Sequence, residues 1–138
     1  MKRQLIDTNV IIRYLVEAPA SISPKFKGVY SFFERLERGD CTVYLPELVL
    51  FEAFFVLTRV YKVPQPKAAE KLDAVIRFKG IEMDHKPIMH ACLQILQEKK
   101  IDLVDAHLLA VAKERSINGI YSFDRDLSKN GLELMDVK

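Results

Sequence analysis

The chain has 138 residues, 49% of them hydrophobic and 29% charged. That suits a single globular domain over residues 1–138 and excludes a wholly disordered or fibrous chain. The chain has no run of about 18 apolar residues, so no membrane-spanning helix is expected. The start, MKRQLIDTN, reaches Asp7 before any apolar stretch forms, so no secretory signal is expected either. Cys41 and Cys92 share no C-x-x-C spacing and read as reduced core thiols of a cytoplasmic protein. The net charge of +2 says little alone, but committing four of the 19 acids to a cation leaves a basic remainder. Such a balance suits a polyanion held over that cation.

In chain order, residues 3–6 read as a short strand ending at Asp7, and residues 8–16 (TNVIIRYLV) as a helix. A second helix is expected from about Lys25 to Arg38, with Ser23 and Pro24 at its start and Gly39 as its stop. Residues 42–45 (TVYL) read as a strand, and Pro46 opens a helix to about Tyr61. Beyond Pro64 and Pro66, a helix over about 67–79 puts Ala68, Leu72, Val75 and Ile76 on one stripe and stops at Gly80. Residues 80–83 form a weak strand. Pro87 opens a helix with Ile88, Cys92 and Leu96 in register, ending in Lys99 and Lys100. A helix over about 103–115, a strand over 119–121 and a last strand over 132–135 complete the chain. The alternation predicts an α/β fold: a three-layer α/β/α sandwich around a mainly parallel sheet of roughly five strands. Ligands of such sheets bind beyond the carboxyl ends of the strands, so the acids placed there deserve weighing.

Asp7 ends the first strand and is a natural N-cap for the helix that follows. The run Asp7-Thr8-Asn9 also crowds three oxygen-bearing side chains at a strand end. Glu52 is the only charge in LVLFEAFFVL, the most apolar ten residues of the chain. Buried there alone, a carboxylate would cost several kcal/mol, so it needs a partner or a cation. Glu47 lies about 140° around the helix from Glu52 and is explained by the helix dipole. Asp102 and Asp105 open the helix IDLVDAHLLAVAK, where a capping arrangement competes with a functional role for Asp105. His107 turns about 200° away from Asp105 and reads as a helix-face histidine. Asp124 follows the 119–121 strand in SFDRDL; an Asx-turn accounts for Asp124 or Asp126, while the strand end places Asp124 beside Asp7. Ser122 is in reach of one of these carboxylates. Two carboxylates about 4 Å apart repel by roughly 4 kcal/mol at an effective dielectric of ~20. A hard divalent ion removes that conflict, and all-oxygen ligation favours Mg²⁺ or Mn²⁺ over zinc.

These four stretches (LIDTNVIIRYL, LPELVLFEAFFVL, DLVDAHLLAVA and IYSFDRDL) resemble, in this order, the PIN-domain family and its VapC-type toxins of bacterial toxin–antitoxin pairs. The resemblance implies a PIN-like α/β/α fold and Mg²⁺- or Mn²⁺-dependent endoribonuclease activity by metal-activated water. It implies that Asp7, Glu52, Asp105 and Asp124 are the metal-binding, catalytic acids, with Thr8, Asn9, Ser122 and Asp126 in support. It also implies an RNA substrate, a cognate VapB-like antitoxin and a homodimer. An RNA-processing PIN nuclease with no toxin role is the alternative within the family. Outside it, a haloacid-dehalogenase-type phosphatase would need an Asp where Asn9 stands. A phospho-receiver signalling module wants paired acids after the first strand, where Thr8 follows Asp7.

Arg13, Lys25, Lys27, Arg35, Arg38, Arg59 and Lys62 are candidates for guiding an RNA backbone. Six of the eight phenylalanines (Phe26, Phe32, Phe33, Phe51, Phe54 and Phe55) cluster in one part of the sequence. Adjacent pairs in a helix cannot all face one stripe, which predicts an apolar groove for an antitoxin segment.

Overall fold

Short strands and helices alternate along residues 3–138, the residues described by the computed structural model. Strand β1 (Gln4–Leu5) leads into α1 (Thr8–Val16), then α2 (Gly28–Arg38), β2 (Val43–Tyr44) and α3 (Glu47–Phe55). The second half runs α4 (Gln65–Ile76), β3 (Ile81–Glu82), α5 (Lys86–Glu98), α6 (Leu103–Glu114), β4 (Gly119–Tyr121) and β5 (Glu133–Met135). Asp7, in extended conformation, caps α1, and Gly39 ends α2 at φ +81°, a left-handed conformation that glycine takes without a Cβ penalty. Ahead of α2 the chain makes a separate 3₁₀ turn at Pro24–Phe26, and Ser23 makes no side-chain cap there. Beyond α3 the helix widens into a π turn at Val56–Val60. The Thr58 hydroxyl reaches back to the Phe54 and Phe55 carbonyls at 3.0 and 3.4 Å, compensating the loosened ladder.

All strand pairings are parallel, as the alternation predicts, but the five strands do not join one hydrogen-bonded sheet. Strands β1, β2 and β3 pair in that order, in register Gln4↔Val43↔Ile81. Strands β4 and β5 pair separately, Gly119 opposite Glu133. Strands of two or three residues offer few ladder bonds, so side-chain packing decides which edges meet. Leu5 of β1 and Tyr121 of β4 are exposed, at 74% and 71%.

The packing follows the same division. A large core joins α1 to α5 with the three-stranded sheet through Ile11, Phe33, Leu45, Phe54, Leu72, Ile81 and Leu93. A small core of Leu109, Ala112, Leu127 and Leu132 holds the β4–β5 unit. Helix α6 bridges the two, giving Leu103, Ala106 and Ala110 to the first and Leu109 and Ala112 to the second. Each large side chain fully buried in this way contributes about 1.5–3 kcal/mol. Between α4 and α5, the buried Asp73 carboxylate bonds His90 Nδ1 at 2.6 Å and Gln94 Nε2 at 3.1 Å. Both cysteines are free, and burial pushes the Cys92 thiol up to about 12, so it stays protonated and inert at neutral pH. No helix among the described residues is long and apolar enough to cross a membrane.

Candidate active site

The first group of acids forms where β1 hands over to α1. Asp7 Oδ1 accepts the Thr8 backbone N–H at 2.7 Å, so the capping role read from the sequence is realised. Thr8 itself is buried, and its Oγ1 has no hydrogen-bond partner among the described residues. Glu52 projects from α3 into the same cavity of about 340 Å³, lined also by Asn9, Arg13 and Tyr61. Its surroundings differ from the sequence expectation: Glu52 is exposed, not buried in an apolar helix. The reason is that α3 is not enclosed all round. Leu48 and Phe55, which share the Glu52 face at helical spacing, line an open apolar hollow with it.

The second group forms at the start of α6 and the end of β4. Asp102 caps α6, its Oδ1 accepting the Asp105 backbone N–H at 2.8 Å, while the Asp105 carboxyl makes no hydrogen bond among the described residues. Asp124 Oδ1 accepts the Asp126 N–H at 2.9 Å, an Asx-turn. The Ser122 hydroxyl accepts the Asp124 N–H at 3.0 Å; it serves the backbone, not a carboxylate. Partial burial, then the negative charges of Asp102, Asp124 and Asp126, raise the Asp105 pKa above the ordinary carboxylate value. Asp102, Asp105, Asp124 and Asp126 line one cavity of about 960 Å³ together with Lys99, Lys100 and Lys129.

The candidate acids thus fall into two half-sites, Asp7 with Glu52 and Asp105 with Asp124. Asp126 sits in the second, and Thr8 and Asn9 in the first. The division follows the gap between β1 and β4, because Asp7 and Asp124 follow those two strands. Among the described residues, no group of three or more His, Cys, Asp or Glu side chains is placed to hold one metal ion. The donor chemistry still fits a hard cation. Every candidate ligand is an oxygen donor, three other carboxylates crowd Asp105, and Thr8, beside Asp7 in the same cavity, has a buried Oγ1 with no partner among the described residues. The residues set aside from the site are accounted for elsewhere: Glu47 bonds His85 at 3.1 Å, and His107 packs edge-on against Phe51 at 5.4 Å.

A family model for the PIN domain matches residues 5–132, nearly the whole length. The chain belongs to the PIN-domain family. Along that length it is 22% identical over 133 residues to a VapC ribonuclease of Aquifex aeolicus (strain VF5), covering 96% of both chains. The crystal structure of Mycobacterium tuberculosis VapC20, a sarcin–ricin loop cleaving toxin, aligns over 93% of this chain and 95% of its own. The identity is 17% and the TM-score 0.38. Within this PIN domain, sequence reasoning overlooked Lys99, Lys100 and Lys129 as residues lining the same cavity as the acids. Their position offered a signal, since Lys99-Lys100 stand just before Asp102 and Lys129 three residues after Asp126.

Proposed function

We propose that residues 1–138 form one VapC-type endoribonuclease domain, the toxin of a VapBC-type pair acting in the cytoplasm, dependent on Mg²⁺ or Mn²⁺. The observation that carries this reading is the gathering of Asp102, Asp105, Asp124 and Asp126 in one cavity, where α6 starts and β4 ends. Family membership and the full-length likeness to a VapC ribonuclease support it.

In this reading Asp7, Glu52, Asp105 and Asp124 hold the cation. Bound there, a divalent ion neutralises charge on the scissile phosphate and lowers the pKa of a water. The chain's own groups prepare the place. The Asp102 cap fixes the first turn of α6, and with it Asp105; the Asx-turn fixes Asp124; the α1 cap fixes Asp7. Hydrolysis at the P–O3′ bond leaves a 5′-phosphate and a 3′-hydroxyl, water supplying the oxygen and the proton.

The partner surfaces belong to the same proposal. Of the six clustered phenylalanines, Phe33 and Phe54 are fully buried and the other four only partly so. Phe26 and Phe32 line a cavity of about 500 Å³ with Val10 and Val29, rimmed by Arg13 and Lys25. An antitoxin segment with apolar side chains and acidic flanks suits it. Phe51 and Phe55 line a second hollow with the exposed Leu48 and Val60, an apolar surface suited to a second copy of the chain.

The test is incubation of the purified chain with total RNA, with Mg²⁺ or with EDTA, followed by mapping of the ends. Cuts with 5′-phosphate ends in Mg²⁺ and none in EDTA are expected. Folded protein that cuts no RNA with either Mg²⁺ or Mn²⁺ would overturn the reading.

A further inference from the structure

The acidic cavity has a basic wall. Lys99 and Lys100 lie on the link between α5 and the Asp102 cap, and Lys129 lies on the turn that follows Asp126. Charge balance within the cavity does not explain them. Lys99 Nζ donates to Asn130 Oδ1 at 2.9 Å, not to an acid. Lys129 Nζ stands 3.9 Å from Asp126 Oδ1, a pair exposed on both sides and therefore weak. Lys100 forms no ion pair among the described residues. Among the described residues no ion pair joins Asp105 to any of these lysines. The α5 dipole favours lysine at positions 99 and 100, but it does not reach Lys129, which arrives from a different element.

Ammonium groups that share a cavity with carboxylates and are mostly not paired with them suit a ligand that carries repeated negative charge past a cation-binding point. A phosphodiester chain is such a ligand, with one phosphate at the acids and the next ones within reach of the lysines. We propose that Lys99, Lys100 and Lys129 hold the backbone phosphates that flank the scissile one. This rests on the ribonuclease reading and adds to it the side of the acids on which the strand lies. It places the principal phosphate contacts on residues other than the arginines and lysines of α1 and α2.

The test is binding of a labelled single-stranded RNA of about 20 nucleotides, long enough to overrun a site of several nucleotides, across a salt series in EDTA. Three proteins are compared: the wild type, the triple variant Lys99→Ala/Lys100→Ala/Lys129→Ala, and a charge-matched control, Lys67→Ala/Lys71→Ala/Lys79→Ala. Each phosphate contact on a single strand contributes about 0.7 to the slope of log K against log salt. The cavity variant should therefore lose about 2 from the slope, and the control much less. Triple replacement by Arg at the cavity positions should keep the wild-type slope, which a merely structural role would not require. Equal slopes for wild type and cavity variant, or an equal loss in the control, would overturn the inference while leaving the ribonuclease reading in place. A folded wild type that neither binds nor cuts RNA would overturn both.

Discussion

The backbone N–H of Asp105 is held by the Asp102 carboxylate at 2.8 Å, so one acid of the candidate site fixes the position of another. Asp102→Ala removes that cap and should cost about 1 kcal/mol of stability, whereas Asp102→Asn keeps an acceptor and should cost much less. Urea unfolding of the two variants measures the difference. Equal losses would mean that the charge, and not the acceptor, matters at this position.

The raised pKa of Asp105 carries a sign. Below the ordinary carboxylate value the group is protonated both folded and unfolded, and the repulsion is absent. As pH rises through the raised folded-state value, the carboxylate forms in a partly buried place and against Asp102, Asp124 and Asp126, and stability is lost. The loss grows toward neutral pH. Asp105→Asn should therefore raise Tm at pH 7 and leave it nearly unchanged at pH 3. A lower Tm for the variant at pH 7 would contradict the electrostatics described for this cavity.

His90 and Gln94 of α5 meet the buried Asp73 of α4. His90→Ala leaves that carboxylate short of a partner, and a buried acceptor so stripped costs about 1–3 kcal/mol. Chemical denaturation should show that loss with the native secondary structure retained. A change no larger than that of an exposed lysine to alanine would mean that Asp73 finds another partner.

Gly80 has no room for a side chain. A Cβ there would stand 2.1 Å from the Cys41 carbonyl oxygen and 2.9 Å from that of Leu36, both backbone atoms. Gly80→Ala should cost about 1–3 kcal/mol, as overpacking does, or more if the backbone cannot give. A thermal melt of the variant within a degree or so of wild type, where each kcal/mol shifts Tm by about 2–8 °C, would show that the strand edge shifts freely.

Much of this was legible in the residues, for reasons that are local. Helix α1 begins at Thr8 because Asp7 caps it, and α2 ends at Gly39 because only glycine takes that turn cheaply. Parallel pairing followed from the alternation of strands and helices. What escaped depends on contacts distant in sequence. Strands of two or three residues do not encode their neighbours, so the separation of β4–β5 from β1 rests on the small core under α6. Glu52 looked buried because its segment is apolar, yet Leu48 and Phe55 beside it line an open hollow. The Asp73 network needs α4 against α5, which no single helix pattern reveals. The four acids stand out singly in the sequence, but their division between two cavities was not legible, because it follows from the strand gap.

Both half-sites are expected to act together on the bound divalent metal, and Mn²⁺ binding followed by electron paramagnetic resonance tests this most directly. Asp7→Asn retains a good helix cap, so folding should survive the change; Asp105→Asn removes only charge. If the acids act together, wild type binds Mn²⁺ tightly and each substitution alone abolishes that binding. Asp7→Asn protein that still binds Mn²⁺ with wild-type affinity through the Asp105 cavity would contradict the account.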